Sequence, residues 1–206
     1  MKKINVGLIG GGFMGKAHSL AYSAVPMFFW PTEIMPVKHT VAEFTDKMAQ
    51  DAATRFGFEN STSDWNTIIN NPDIDLVDIA TPNNSHAQIA IAALNAGKHV
   101  ICEKPLARTV DEAALMYEAA RNSNRVNMVA FNYRRTPAVA LAKRYIDEGA
   151  IGRPFHALLH SFNAGWLDAT QPAHWRQKAE ISGVQILTLG IYTEVLQRWL
   201  GHIVEV

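Results

Sequence analysis

Apolar residues fall along this chain in two alternating patterns. Some form short continuous runs; others recur every three or four positions over longer stretches. Residues 4–9 are the first run, closed by Gly10-Gly11-Gly12, and predict a buried strand. Residues 14–24 carry the helical period. Residues 37–44 predict a second strand, and 45–56 a helix ended by Gly57. Residues 64–70 predict a short helix capped by Ser63 or Asp64. Residues 75–80 predict a strand stopped by Thr81-Pro82-Asn83-Asn84. An alanine-rich helix over 85–96 closes at Gly97, and a strand over 100–102 ends at Glu103-Lys104-Pro105. Thr109-Val110-Asp111-Glu112 is a capping box that opens a helix to about residue 121, and 126–131 predicts a further strand. Residues 25–36 hold three prolines with Phe28, Phe29 and Trp30, and predict a packed loop.

Strand–helix units repeated at this size predict an α/β fold, a Rossmann-type doubly wound parallel sheet over residues 1–131. The pattern changes after Phe131. Thr136-Pro137 starts a helix, with proline at its first position, that runs to about residue 148 before Gly149. Residues 153–163 alternate weakly, as a half-exposed strand would. Residues 164–182 show no period and hold Trp166, Pro172, Trp175 and Arg176. Residues 186–200 look helical, and 203–206 could begin another strand. Residues 132–206 are therefore expected to start an α+β domain, left incomplete at this length. A chain of 206 residues suits one full domain and a remainder.

Composition removes several function classes. Nineteen Lys+Arg balance nineteen Asp+Glu, whereas a chain built to track phosphate backbones carries a basic excess, so no nucleic-acid partner is expected. Cys102 is the one cysteine, which excludes an intramolecular disulfide and a cysteine-rich zinc site; no metal is expected. No apolar run reaches the ~18 residues of a membrane span, and residues 4–9 are too short for a signal-peptide core. The chain is expected to be soluble and cytoplasmic, without a membrane partner.

Two places could carry chemistry. Gly10, Gly12 and Gly15, with Phe13 and Met14 between them, fit G-x-G-x-x-G, after a strand and opening a helix. Gly10 would permit a tight turn, Gly12 the approach of a pyrophosphate, and Gly15 close packing of helix on strand. The same residues could also be a glycine turn with no ligand. A dinucleotide site needs an acid after the second strand to hold the adenosine ribose. Glu43 is that candidate, with Asp46 as runner-up; a solvated strand-end charge is the plainer reading. Phe44 and Thr45 supply no cation for a 2′-phosphate, which favours NAD over NADP. The second place is Cys102-Glu103-Lys104-Pro105, at the end of a strand, where ligands of open α/β sheets bind. Lys104 there could exchange a proton with a substrate hydroxyl, or be only a loop lysine.

Four stretches, two of them holding the glycine loop and Lys104, resemble the Gfo/Idh/MocA oxidoreductase family, named for glucose–fructose oxidoreductase and inositol dehydrogenase. The matching stretches are 7–15, Asp78-Ile79-Ala80-Thr81-Pro82-Asn83-Asn84-Ser85-His86, 96–106 and Phe131-Asn132-Tyr133-Arg134. The resemblance implies an NAD(P)-binding domain followed by an α/β domain with a large open sheet. It implies hydride transfer between a nicotinamide cofactor and a sugar, cyclic polyol or related alcohol. Lys104 matches the family's catalytic lysine. Thr81, Pro82, Asn83, His86 and Glu103 match cofactor-lining positions, as does Asn132 within its motif. Arg134 matches a residue near the nicotinamide or substrate, and Trp175-Arg176 a cofactor-side pair. Asn83 and His86 could equally cap the helix over 85–96.

The chain departs from the family pattern at Thr188-Leu189-Gly190-Ile191-Tyr192. Thr188 stands where an Asp is expected, and Tyr192 where a His is. A Gly-Ile-Tyr form occurs in some branches of the family, so Tyr192 is expected to be a second proton-transfer group. Family chains also continue well past this length. The expected protein is thus an NAD-dependent dehydrogenase with a small sugar or polyol substrate, and a homo-oligomer. The alternative is a non-catalytic dinucleotide-binding protein, or inactive fragment, of the same fold. Phe155, Leu159, Trp199 and Ile203 are expected to lack apolar partners.

Overall fold

A computed structural model describes residues 1–162, 167–183 and 189–205. The chain divides into two compact units, Met1–Ala130 and Phe131–Val206.

The first unit alternates strand and helix: β1 (Lys2–Ile9), α1 (Phe13–Phe28), β2 (Ile34–Ala42), α2 (Asp46–Phe56), β3 (Asn60–Thr62), α3 (Trp65–Asn70), β4 (Leu76–Ile79), α4 (His86–Asn95), β5 (His99–Cys102), α5 (Val110–Ser123) and β6 (Asn127–Val129). The six strands are parallel and lie in the order β3-β2-β1-β4-β5-β6. That order reverses between β1 and β4, which opens a crevice at the carboxyl ends of the strands. Ile9, Val77, Ile79 and Val100 pack with Ile68 of α3, Ile89 and Ala93 of α4, and Met116 of α5. Leu8 and Val41 pack with Ala52 of α2 and with Phe58. Burial on both faces explains why β1 and β4 are short apolar runs rather than alternating strands.

Local chemistry sets the boundaries. The Thr45 hydroxyl accepts from Met48 N, and Gly57 ends α2 at φ 76°. Asp64, not Ser63, caps α3. Thr109 accepts from Glu112 N at the start of α5. The loop expected over 25–36 is much shorter. α1 runs on through Pro26, whose missing N–H costs one bond in the last turn, and β2 begins at Ile34. Pro36 sits inside β2 because β3 pairs only with Thr40–Ala42, which leaves that side of Pro36 without a ladder to interrupt. No expectation covered β3.

The second unit holds α6 (Pro137–Asp147), α7 (Ala179–Ser182) and α8 (Leu189–Leu200), with 3₁₀ turns at Asn132–Arg135 and Trp175–Gln177. Residues 153–162 form no strand, contrary to the alternation. No strand is described in this unit, so their backbone has no ladder to join. The strand expected at 203–206 is likewise absent over 203–205, and residue 206 lies outside the described residues, as do Trp166 and Thr188. Phe155 and Ile203 are exposed and Leu159 half-exposed. Among the described residues, no helix is long and apolar enough to cross a membrane.

Candidate functional site

The glycine loop joins β1 to α1. Gly10 adopts φ 98°, and a Cβ there would lie 2.8 Å from the Ala80 carbonyl oxygen, so both the turn and its closeness to β4 require glycine. Gly15 is buried, and a Cβ on it would fall 2.0 Å from the Gly10 oxygen. Gly12 differs. It is exposed, at φ −66° and ψ −158°, with nothing within 4 Å of a notional Cβ. It precedes the first turn of α1 and gives no side-chain cap. Phe13 is exposed and Met14 half-buried. The helix thus presents an uncapped, open N-terminus that suits an anion.

Glu43 follows β2. Its Oε1 accepts from Gly11 N at 2.6 Å and its Oε2 from Phe44 N at 3.2 Å. The carboxylate therefore stands against the glycine loop, and neither Phe44 nor Thr45 brings a cation beside it. Asp46 is instead the exposed first residue of α2.

Thr81 and Pro82 continue from β4, half-buried, and Asn83 opens a 3₁₀ turn with its side chain buried. His86 is wholly buried. Its Nδ1 lies 2.9 Å from the Pro105 carbonyl oxygen and its Nε2 2.9 Å from that of Thr81. The ring spans the loops after β4 and β5, which leaves no polar atom directed at a ligand. Both His86 nitrogens are thus engaged away from the first turn of α4, whose N-cap position is Ser85, without a side-chain bond to the helix.

Lys104 follows β5, half-buried, and precedes a cis peptide to Pro105. Behind it lies a group of charges that the sequence reading missed. Asp78, wholly buried on β4, neighbours Leu8 and Ile101 in register on an otherwise apolar face. His18 and Tyr22, one turn apart on α1, reach it. His18 Nδ1 lies 2.9 and 3.0 Å from the two Asp78 oxygens, and the Tyr22 hydroxyl donates to Asp78 Oδ2 at 2.7 Å. On its other side, His18 Nε2 lies 3.3 Å from Glu103 Oε1. Glu103 is buried, and its Oε2 accepts from Lys104 N at 3.0 Å.

Burial by itself would lower the His18 pKa, but hydrogen bonds to Asp78 and Glu103, and their charges, push it up to about 10. Burial, then the Asp78 charge and hydrogen bond, push the Tyr22 hydroxyl up. Burial, then the charges of Glu103 and Asp78, push the Cys102 thiol up. His18 is therefore an imidazolium between two buried carboxylates. A raised pKa stabilises the fold fully below the unfolded value of 6.5, and that contribution is lost as pH rises through about 10. We expect the unfolding free energy, followed by urea denaturation, to fall between pH 6.5 and 10 more steeply in the wild type than in His18→Gln. Equal slopes would remove the cation from this group.

The second unit carries the remaining candidates. Asn132 and Arg134 lie on its first 3₁₀ turn, and Arg134 pairs with Glu194 of α8. The Tyr133 and Tyr192 rings stand 5.7 Å apart, and a hydrogen bond to Tyr192 holds the Tyr133 hydroxyl above its usual pKa. Arg176 stacks over Trp175, its guanidinium 4.4 Å from the ring centroid, on a turn capped by His174.

A six-stranded parallel sheet, with a glycine loop at its switch point and an acid after its second strand, has the form of a dinucleotide-binding domain. Residues 4–131 match the model of the oxidoreductase family with an NAD-binding Rossmann fold, and the chain belongs to this family. It is 61% identical over 188 residues to levoglucosan dehydrogenase of Pseudarthrobacter phenanthrenivorans, covering 89% of this chain and 47% of that protein. It is 33% identical over 165 residues to inositol 2-dehydrogenase of Salmonella typhimurium, covering 78% and 46%. A solved levoglucosan dehydrogenase in complex with NADH aligns with TM-score 0.88 at 55% identity, over 97% of this chain and 54% of that one. An NAD binding oxidoreductase from Klebsiella pneumoniae aligns with TM-score 0.85 at 38% identity, over 97% and 53%. The chain spans about half the length of these relatives.

Proposed function

We propose that this chain belongs to an NAD-dependent dehydrogenase that oxidises a CH–OH group of a sugar, cyclic polyol or related alcohol. The observation that carries the reading is the crevice between β1 and β4. The open N-terminus of α1, the Glu43 carboxylate and the Lys104 segment all lie on loops that leave the same edge of the sheet. The relatives named for levoglucosan and inositol support the substrate class.

The residues fit a dinucleotide. The uncapped N–H groups after Gly12 would hold the pyrophosphate, with Gly10 and Gly15 shaping the loop and Phe13 and Met14 flanking it. Glu43 would accept hydrogen bonds from the adenosine ribose diol. Thr81, Pro82, Asn83 and Glu103 would line the crevice, and His86 would fix the loops that carry Thr81 and Pro105. Asn132, Arg134, Trp175 and Arg176 are assigned to the cofactor or substrate side by family resemblance. A bound nicotinamide supplies acceptance of one hydride from the alcohol carbon. The Lys104 amine takes the hydroxyl proton as the C–O bond becomes a carbonyl, and Tyr192 is the second proton-transfer group. We further propose a homo-oligomer, in which the exposed Phe155, Leu158 and Phe162 meet another subunit.

Titration with NADH, then a panel including levoglucosan and inositol followed by NADH absorbance, tests the reading. Binding without turnover of any alcohol would favour a non-catalytic dinucleotide-binding protein. We expect NAD to bind at least tenfold more tightly than NADP, because Glu43 would face the 2′-phosphate with no adjacent cation. Calorimetric titration of both decides this, and tighter NADP binding would remove Glu43 from the ribose.

A further inference from the structure

Nothing in the proposed mechanism uses His18, Tyr22 or Asp78, yet they form a connected polar group reaching into the interior of the first unit. Asp78 and Glu103 are 0% and 4% exposed, and each would lose its hydration on folding. A buried charge pair is a weak source of stability, since desolvation consumes most of the attraction. An apolar residue at position 78 would match Leu8 and Ile101 beside it. The geometry of the group is more informative. His18 touches Asp78 with one nitrogen and faces Glu103 with the other. Asp78 is fixed in the middle of the sheet and receives the Tyr22 hydroxyl as well, so the ring cannot turn without losing its anchor. Glu103 divides its two oxygens between His18 and the backbone N–H of Lys104. An unbroken chain of polar contacts therefore runs from β4 through α1 to the peptide of Lys104.

We propose that His18 is a positioning residue: anchored on Asp78, it holds the Glu103 carboxylate, and through it the backbone of Lys104, in register with helix α1. α1 is the helix whose N-terminus carries the glycine loop. The dinucleotide loop and the lysine are thereby indexed to one another through a single imidazolium. The proposal rests on the reading of Lys104 as the proton-transfer group, but the contact itself can be examined without turnover.

Amide hydrogen exchange by NMR on the whole chain is the test. In His18→Gln the side chain retains a donor but loses the charge and the second ring nitrogen. We expect the Lys104 amide to exchange at least tenfold faster, while the β1 amides of Val6 and Leu8 stay within twofold of wild type. Unchanged exchange at Lys104 would overturn the proposal. An equal rise at Lys104, Val6 and Leu8 would also overturn it, since His18 would then be a general strut. Should His18→Gln fail to fold, Asp78→Asn weakens the anchor of the His18 ring and leaves His18, Glu103 and the bond from Lys104 N in place. The same selective rise at Lys104 is expected there, and its absence would overturn the proposal. NADH affinity measured on the wild type judges the dinucleotide reading separately. If NADH does not bind, that reading fails, while the exchange data still decide whether His18 positions Lys104.

Discussion

Lys104→Met is expected to lower turnover of a sugar or polyol by ~10²–10⁴, the range supplied by a positioned acid–base group. NADH affinity should remain within about threefold. The two effects separate because the residues that would bind and the residue that would react lie on different loops. The glycine loop and Glu43 follow β1 and β2, whereas Lys104 follows β5. Methionine keeps an unbranched apolar stem as far as Cε and removes the amine. It leaves the backbone N–H that donates to Glu103, so the polar group behind the lysine has no reason to rearrange. The measurement is steady-state turnover on the alcohol panel beside fluorescence titration with NADH. A variant that turns over at the normal rate would make Lys104 structural. A variant that loses NADH as well would place Lys104 in contact with the cofactor. In that case the KM for NAD would rise together with the fall in kcat.

The elements that the sequence made legible are those whose signal is local. A strand that is apolar because both its faces are covered reads as a short run, and helices betray their ends through Thr45, Gly57 and Thr109. The glycine loop was readable because Gly10 and Gly15 answer steric demands within ten residues of chain or at the neighbouring strand, and Gly12 completes their spacing. What escaped depends on partners distant in sequence. Pro36 lies within a strand because β3 happens to be short, which no local pattern states. Residues 153–162 alternate as a strand would, but alternation cannot supply a neighbour to pair with. The buried charges were missed for the same reason. His18 and Asp78 are 60 positions apart, and each alone looks like an ordinary polar residue. A signal was present: an aspartate inside the apolar run Leu76-Val77-Asp78-Ile79, and a His and Tyr one turn apart on the helix that packs above it. A carboxylate in a fully buried strand demands a partner, and the adjacent amphipathic helix was the place to look.

Gly12→Ala and Gly15→Ala are expected to fail in different ways, and the contrast separates folding from cofactor binding. Both positions belong to the same motif, and sequence alone treats them alike. At Gly15 a Cβ would lie 2.0 Å from the Gly10 carbonyl oxygen. That atom is backbone, in a loop held at both ends: Gly10 N donates to the Ala42 oxygen, and Gly10 itself lies against the Ala80 carbonyl. Relief requires α1 to move away from β1, which would disturb the Leu8 packing and the reach of His18 to Asp78. A loss of at least 2 kcal/mol is expected, in the range of overpacked core substitutions that force backbone shifts. At Gly12 nothing lies within 4 Å of the added methyl, and the backbone, extended at φ −66° and ψ −158°, requires no left-handed conformation. The protein alone should accept alanine at that position with a change of less than about 0.5 kcal/mol. The dinucleotide should not, because Gly12 is where the backbone must approach the pyrophosphate. We expect NADH affinity to fall at least tenfold in Gly12→Ala while its urea midpoint stays at the wild-type value. In Gly15→Ala the midpoint should fall first, with affinity lost along with the fold. Undiminished NADH binding by a folded Gly12→Ala would mean that the cofactor does not cross this loop. The open N-terminus of α1 would then serve some other anion.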